Sequence, residues 1–212
     1  MDARSTGLRW FHTRFDVRDG ASEPAPEHRV ELWLGAADGD EAATIAADVE
    51  TTWMAEPTQL RVVTTRTELE PLPATAGPTC LHPDVADLAT RQWGLVEGCL
   101  VQVLPDVDAV ASEWLEVCDG RTRDAEATLN RVHLWDLLDD AEDTPDADHD
   151  IATGLALAWQ DSLDQVPGAD RIVVELHDSD DGPQLTVFRC IDGGQRDDVA
   201  GTTAPQARRL SA

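Results

Sequence analysis

The sequence predicts an α+β fold, in which a small mixed sheet carries a helical block packed on one face. Alternating apolar residues near the amino terminus indicate the order β-β-α-β over residues 8–66. Two further alternating runs, 172–177 and 184–190, flank an acidic turn that contains Gly182 and Pro183, as in a hairpin. Between these regions the apolar residues recur at helical spacing. We therefore expect the N-terminal strands and the C-terminal hairpin to share one sheet.

The N-terminal elements are predicted in order as strands 8–17 and 29–34, a helix, and a strand at 60–65. Strand 8–17 has apolar side chains on both faces, which indicates that both are partly covered. Asp38 and Glu41 have the spacing of a capping box at the start of the helix. The buried stripe of that helix is predicted to be Ile45, Val49, Thr52 and Trp53.

Residues 67–80 are rich in proline and form the best candidate boundary within the chain. We expect a β-β-α-β segment at 1–70 and a helical block with the terminal hairpin at 80–192. The two most simply form one domain, and two lobes joined near 67–80 are the alternative. Gly, Thr, Ala, Pro and Gln dominate 193–212, which predicts a disordered tail.

The helical block is predicted to contain four helices. The first covers about 84–104, although a strand at 99–104 is an open alternative. The second runs from Asp106 to Cys118, and the third starts at Thr122 and continues its apolar face to Leu138. Residues 139–150 are so acidic that we expect a solvated loop there. A last helix follows at 151–166, where apolar residues keep near-perfect helical spacing.

Charge is the dominant compositional feature: 42 acidic residues oppose 16 basic ones, for a net charge of −26. Every basic residue is Arg. Molar salt shortens the Debye length to about 3 Å, so such a charge hardly repels itself there. A GC-rich codon bias can explain the missing Lys, but it does not explain why Arg failed to replace it. The composition therefore predicts a halophilic, acidic protein of a salt-filled cytoplasm, and the amino terminus lacks the apolar stretch of a signal peptide.

This charge also restricts the partners. Nucleic-acid binding depends on counterion release, which nearly vanishes in molar salt, and anionic membranes repel an acidic surface. We expect a protein partner, with no nucleic acid, no membrane and no cofactor. The acidic clusters at 146–150 and 178–181 do not match the calcium-loop pattern. We expect only nonspecific association of K⁺ or Mg²⁺ with them.

Two weak patterns suggest chemistry that involves cysteine. Residues 190–196 fit C-x-x-G-x-x-R, the phosphate-binding loop of cysteine-dependent phosphatases, with Cys190 as nucleophile and Arg196 as phosphate clamp. Arg189, Asp192 and Asp197 depart from that pattern, and no helix is predicted to follow and lower the thiol pKa. A hairpin end that runs into the tail is the simpler interpretation.

Cys80 and His82 form one close pair of zinc-ligand types, with Cys99 and Cys118 as distant partners. Zinc normally needs two close pairs, so buried free thiols are the better interpretation. His133 and Asp136 lie three residues apart, and a lone His at the edge of an apolar face is usually structural.

The sequence predicts a non-enzymatic protein-interaction or regulatory module, because no convincing catalytic constellation is present. The alternative is a small-ligand-binding protein or an enzyme. Seven Trp residues and no Tyr fit a core or an aromatic interface, and the core is the better interpretation. A deep pocket with convergent polar groups would favour the alternative, and an exposed apolar patch would favour the interaction module.

Overall fold

The computed structural model describes residues 8–19, 27–55, 61–72, 83–138, 145–179 and 182–191. The strands are β1 (Arg9–Asp19), β2 (Glu27–Ala36), β3 (Arg61–Arg66), β4 (Glu70–Pro71), β5 (Trp93–Val96), β6 (Cys99–Gln102), β7 (Val132–His133), β8 (Ile172–Ser179) and β9 (Gly182–Arg189). The α-helices are α1 (Gly39–Ala55), α2 (Pro83–Ala89), α3 (Val107–Val117), α4 (Thr122–Leu129) and α5 (Pro145–Leu163). A single 3₁₀ turn covers Leu134–Asp136.

The main sheet has the strand order β3-β1-β2-β8-β9-β7, and β4 pairs with β1 beside β3. Pairing of β2 with β8 joins the N-terminal strands to the C-terminal hairpin. The α+β class is confirmed. The sheet is antiparallel rather than mixed, because β3 pairs with β1 instead of β2. As a result β2 and β3 run parallel to each other with β1 between them.

Apolar side chains cover both faces of the sheet, so the helices also lie on both faces rather than on one. On one face, Phe15, Leu32 and Val173 pack with Ile45 of α1. The opposite face packs against α5, and its core residues include Trp33, Val174, Leu176, Leu155 and Trp159. Full burial of each large apolar side chain contributes about 1.5–3 kcal/mol, so α1 and α5 are both anchored by the sheet.

The start of α1 is capped as the sequence predicts. The backbone N–H of Glu41 donates to Asp38 Oδ1 at 2.9 Å. Glu41 Oε2 in turn accepts from the backbone N–H of Ala37 at 2.7 Å. The two acidic side chains thus satisfy amide groups at the helix start, which contributes about 1 kcal/mol.

The predicted helix at 84–104 is wrong beyond Ala89. The chain forms α2 and then a hairpin of β5 and β6, which confirms the strand alternative over Cys99–Gln102. Glu97 and Gly98 have φ angles of 49° and 81°. Two successive residues with positive φ form the tight hairpin turn that matches the twist of the strands. A continuous helix cannot contain them.

The predicted helix from Thr122 to Leu138 ends at Leu129 instead. Asn130 stops it by donating from Nδ2 to the carbonyls of Leu100 and Val187, at 2.7 and 3.0 Å. The chain then enters β7 and the 3₁₀ turn. Helix α5 begins at Pro145, inside the acidic segment expected to be a loop.

Helix α3 and the hairpin of β8 and β9 agree with their predictions. The predicted tail at 193–212 and most of the predicted boundary at 67–80 lie outside the described residues. Within the described ranges, no helix has both the length and the apolar character needed to cross a membrane.

Candidate functional site

A groove of about 230 Å³ lies where β6 ends, between the start of α3 and the segment that joins α4 to β7. We call it the β6–α3 groove. Its apolar lining includes Val101, Leu104, Val107, Val110, Leu129 and Val132. Its polar lining is Arg91, Gln102, Asn130 and Arg131. The groove is therefore an apolar trough with cationic and amide groups along part of its wall.

The local sequence explains the groove. The backbone N–H of Val103 donates to the Gln92 carbonyl at 2.8 Å and holds the end of the hairpin. Pro105 cannot continue the ladder, because it has no N–H. Asp106 takes a left-handed conformation with φ of 64°, which turns the chain sharply into α3. The turn separates α3 from the end of β6 and leaves Leu104 45% exposed at the rim.

Gln102 carries the most unusual polar group of the groove. It is only 9% exposed, and its Oε1 accepts from Arg91 Nη1 at 3.1 Å. Arg is purely a donor, so this bond fixes which end of the amide faces Arg91. Gln102 Nε2 is then buried, and no acceptor in the described part of the chain reaches it. An unmade bond of this kind costs about 1–3 kcal/mol.

Arg131 lies in the groove wall at an exposed position. Neither it nor Arg91 pairs with a carboxylate among the residues that the structure describes. Arg91 and Arg131 thus give the groove wall cationic donors, whereas the Nε2 of Gln102 is enclosed and not accessible from the groove.

An exposed apolar stripe runs along α3 away from the groove. It consists of Val107, Val110, Trp114 and Val117, which we call the α3 stripe. Val110 is 40% exposed and Val117 is 63% exposed. The spacing of three and four residues places all four on one side of the helix. Ala111 is buried beside this stripe, and Val107 and Trp114 are partly buried against the small core cluster of Cys99, Val101, Cys118 and Ala125. Val110 and Val117, at the edge of this apolar face, are the exposed part of the stripe.

A second polar cluster adjoins the groove at Asn130, and its buried side chains are paired. Glu126 is completely buried and accepts from the backbone N–H groups of Leu100 and Arg189, each at 2.7 Å. Arg189 Nε and Nη2 donate to Glu126 Oε1 at 2.9 and 2.6 Å. Arg189 Nη2 also donates to the Gly98 carbonyl. Burial raises the pKa of Glu126, and the Arg189 guanidinium opposes that rise. We call this cluster, together with Asn130, the Glu126 node.

A third cluster fixes the start of α5 to the sheet. His149 Nε2 lies 3.3 Å from Glu31 Oε1, and His149 Nδ1 lies 3.1 Å from Asp178 Oδ1. His12 Nε2 approaches the other oxygen of Glu31 at 3.0 Å. Bonds to Asp178 and Glu31 raise the pKa of His149 to about 9. These histidines hold the pKa of Glu31 well below its usual range, against the effect of burial.

This histidine cluster is suited to holding elements together rather than to proton transfer. Both ring nitrogens of His149 donate to carboxylates when the ring is protonated, so neither is open to a substrate. The cluster links β1, β2, β8 and α5. In the described part of the chain, no three His, Cys, Asp or Glu residues are placed to hold a metal ion.

The residues singled out by sequence are dispersed. Cys190 is buried at the end of β9, where burial raises its thiol pKa to about 11. A phosphatase nucleophile needs a lowered pKa. Arg196, Cys80 and His82 lie outside the described residues. Buried free thiols Cys99 and Cys118 share a small apolar cluster.

His133 is on β7, not on the predicted helix, and its ring meets the edge of Trp135 at 5.8 Å. Asp136 is exposed on the 3₁₀ turn. Trp33, Trp93 and Trp159 are core residues, whereas Trp135 is 53% exposed and Trp114 belongs to the α3 stripe. Three of the six described Trp side chains therefore fill the core, and Trp10 is partly buried against it.

The groove residues were missed from sequence, because Arg91, Gln102 and Arg131 form no local motif. The apolar residues at 107, 110, 114 and 117 were the available signal, since they widen the apolar face of a short helix. Comparison with protein-family models, curated proteins and solved structures finds no match to this chain.

Proposed function

We propose that this protein is a non-enzymatic interaction module that binds another protein through the α3 stripe and the β6–α3 groove. The observation that carries the proposal is the continuity of the two features. The exposed side chains of Val110 and Val117 on α3 lead into a groove whose wall contains the cationic side chains of Arg91 and Arg131. The partner is a protein segment with aliphatic side chains and a carboxylate at the groove end.

The dimensions and composition of this surface support a protein partner. Pockets that enclose drug-sized ligands measure about 300–1,000 Å³, and this groove is smaller and open at Leu104 and Val110. It suits one side chain of a larger molecule. Trp114 lies in the middle of the stripe, and Trp is the residue type most enriched in interface hot spots.

Charge argues against a second copy of this chain as the partner. Asp106, Asp108, Glu113 and Glu116 accompany the stripe along α3. A symmetric dimer across the stripe would bring these carboxylates against their own copies, and like charges at contact distance remain unfavourable even in salt. A partner that adds a carboxylate only at the arginines avoids this repulsion.

A small-ligand-binding protein is the second candidate function, because Arg91 and Arg131 in the groove wall can pair with an acid of any origin. It predicts that a small carboxylic acid alone saturates the groove. The interaction module predicts that binding also needs the stripe beyond the groove.

We also propose that the protein works in a salt-rich cytoplasm. Its charge of −26 and its exclusive use of Arg support this setting. Arg189 with Glu126 and Arg171 with Asp48 form pairs at contact distance, which molar salt screens least. The same screening removes long-range steering, so recognition depends on short-range contacts such as those of the groove.

The test is to immobilise the protein and to quantify the partner that it captures from an extract of the native host in molar KCl. Val117→Asp and Ile191→Asp are the paired variants. Val117 is 63% exposed on the stripe, and Ile191 is 40% exposed at the end of β9. We expect one partner to be captured by the wild type and by Ile191→Asp and to be lost with Val117→Asp. Equal capture by both variants, or a homodimer that only Val117→Asp dissociates, would overturn the proposal.

A further inference from the structure

We infer that an extended segment of the partner lies in the β6–α3 groove and pairs its backbone with the outer edge of β6 at Gln102. This inference rests on the proposed interaction function and adds the conformation and the side-chain pattern of the bound segment. It follows from the hydrogen-bond pattern of β6, from the side chains that cover part of this strand, and from the two faces of the groove.

The backbone of Gln102 points away from β5, on the side where the groove lies. In an antiparallel pair, a residue directs both its N–H and its C=O either toward the neighbouring strand or away from it, and this direction alternates along the strand. The Val103 N–H donates to the Gln92 carbonyl, on the β5 side. The N–H and C=O of Leu100 instead bond to side chains on the opposite side. Gln102 is two residues from Leu100, so its N–H and C=O also point away from β5.

The chain itself covers this edge of β6 at Leu100 but not at Gln102. Glu126 Oε1 accepts from the Leu100 N–H, and Asn130 Nδ2 donates to the Leu100 carbonyl, each at 2.7 Å. One acceptor and one donor thus take the place of a neighbouring strand. Among the described residues, no group bonds to the backbone N–H or C=O of Gln102. An uncovered strand edge is a template for pairing with another extended segment.

The two faces of β6 specify the side chains of the added segment. Val101 packs with Val107 in the small apolar cluster beneath α3, so one face of the groove is apolar. Gln102 points to the opposite face, where its Oε1 accepts from Arg91. Side chains of an extended segment alternate between the two faces. The segment therefore alternates aliphatic residues, which point toward α3, with acidic residues, which point toward Arg91.

Charge complementarity favours acidic side chains on the second face. The groove lining contains Arg91 and Arg131 and, within the described part of the chain, no Asp or Glu. The 42 acidic residues lie elsewhere in the chain, where they repel an acidic segment. When an extended segment adds to a sheet edge, main-chain hydrogen bonds supply affinity and the contacts of alternate side chains supply specificity.

The experiment measures binding of the N-acetylated, C-amidated peptide Val-Glu-Val-Glu-Val, which has the inferred alternation, by calorimetry in molar KCl. Two further versions carry N-methyl groups, one at every valine and the other at every glutamate, so that each lacks the N–H donors of one edge of the strand. We expect one methylated version to bind about tenfold more weakly and the other to bind like the parent peptide. Equal binding of the two methylated versions, or no binding of the parent, would overturn the inference.

Two substitutions at Gln102 form a matched pair. Gln102→Pro removes the N–H on the groove side and spares the hydrogen bonds to β5, whereas Gln102→Leu keeps that N–H and removes the same side-chain amide. We expect Gln102→Pro to bind the parent peptide about tenfold more weakly and Gln102→Leu to bind it like the wild type. Equal affinities of the two folded variants would overturn the inference. If near-UV circular dichroism shows that Gln102→Pro does not fold, the methylated peptides decide.

A peptide with glutamine in place of both glutamates tests the acidic pattern. It should bind several-fold more weakly than the parent, because charge-assisted hydrogen bonds are stronger than neutral ones. Equal affinity would reject the acidic pattern. Loss of host-partner capture in Val117→Asp but not in Gln102→Pro would retain the proposed function and reject only this inference.

Discussion

Two neighbouring regions along β6 differ in whether their buried polar groups have hydrogen-bond partners. In the Glu126 node, the carboxylate of Glu126 accepts from Leu100 and Arg189, and the remaining Nη2 contact of Arg189 is to Gly98. Two residues along the same strand, Gln102 keeps a buried Nε2 without an acceptor in the described part of the chain. The Glu126 node is thus paired internally, whereas Gln102 leaves one buried donor without an acceptor among the described residues.

Lowering the KCl concentration should have the largest effect on both regions. The proposed halophilic character predicts that near-UV circular dichroism of the Trp residues is lost when KCl falls from molar to ~0.1 M, because surface carboxylates then repel one another. Chloride should be replaced by another monovalent anion as a control for specific ion effects. Complete retention of the signal at low salt would contradict the halophilic proposal.

Glu126→Ala should have the next largest effect. It leaves the Arg189 guanidinium buried without its counter-charge, so we expect a loss of about 3–5 kcal/mol in the free energy of unfolding. Guanidinium chloride is itself a salt, so urea titration in molar KCl is the suitable measurement. Glu116→Ala, at an exposed site on α3, should cost less than about 0.5 kcal/mol. Similar values for both variants would remove the contrast between node and surface.

The histidine cluster predicts a pH dependence of stability. The pKa of His149 is raised from 6.5 to about 9, so the stability that it contributes is complete below pH 6.5 and is lost as pH rises through 9. Glu31 has the opposite pH dependence: because its pKa is lowered, the stability that it contributes is present above pH 4.5 and is lost as the pH falls below that value. His149→Gln should remove about 2 kcal/mol at pH 6 and much less at pH 10.

Urea titrations at these two pH values are the measurement, with His133→Gln as the control on β7. A loss that is the same at both pH values would show that packing, and not the charge of His149, accounts for the effect.

Gln102→Leu should have the smallest effect on stability and thereby sharpens the comparison with the node. Removing an unpartnered buried amide is expected to leave the free energy of unfolding unchanged or to raise it by up to about 1 kcal/mol. Urea titration in molar KCl measures it beside Glu126→Ala. A loss above about 2 kcal/mol would mean that Gln102 belongs to the fold in the same way as the node.

Much of the fold was predictable, since long alternating or helical runs determine β1, β2, β8, β9, α1, α3 and α5. Of the hairpin, β6 was expected only as the alternative strand at 99–104 and β5 was missed, because the short run of Leu, Val and Cys fits either period. The turn at Glu97 and Gly98 is also not an Asn-Gly or Asp-Gly signal. The end of α4 was missed because Asn130 stops the helix through long-range bonds to Leu100 and Val187.

The candidate site could not be predicted, because its polar residues come from three separate segments. Gln102 falls in the region predicted to be helical, and its unpartnered nitrogen is a property of the packed structure alone. Arg91 and Arg131 line the same groove only because the hairpin meets the end of α4. The stripe at 107–117 was visible in the sequence, but its exposure depends on which face of α3 is covered.

The most direct test measures how much host partner is captured in molar KCl by four proteins: the wild type, Val117→Asp, Arg131→Gln and Ile191→Asp. If the stripe and the groove form the binding surface, the partner binds the wild type and Ile191→Asp and is lost with Val117→Asp and with Arg131→Gln. Undiminished capture by both Val117→Asp and Arg131→Gln would contradict it.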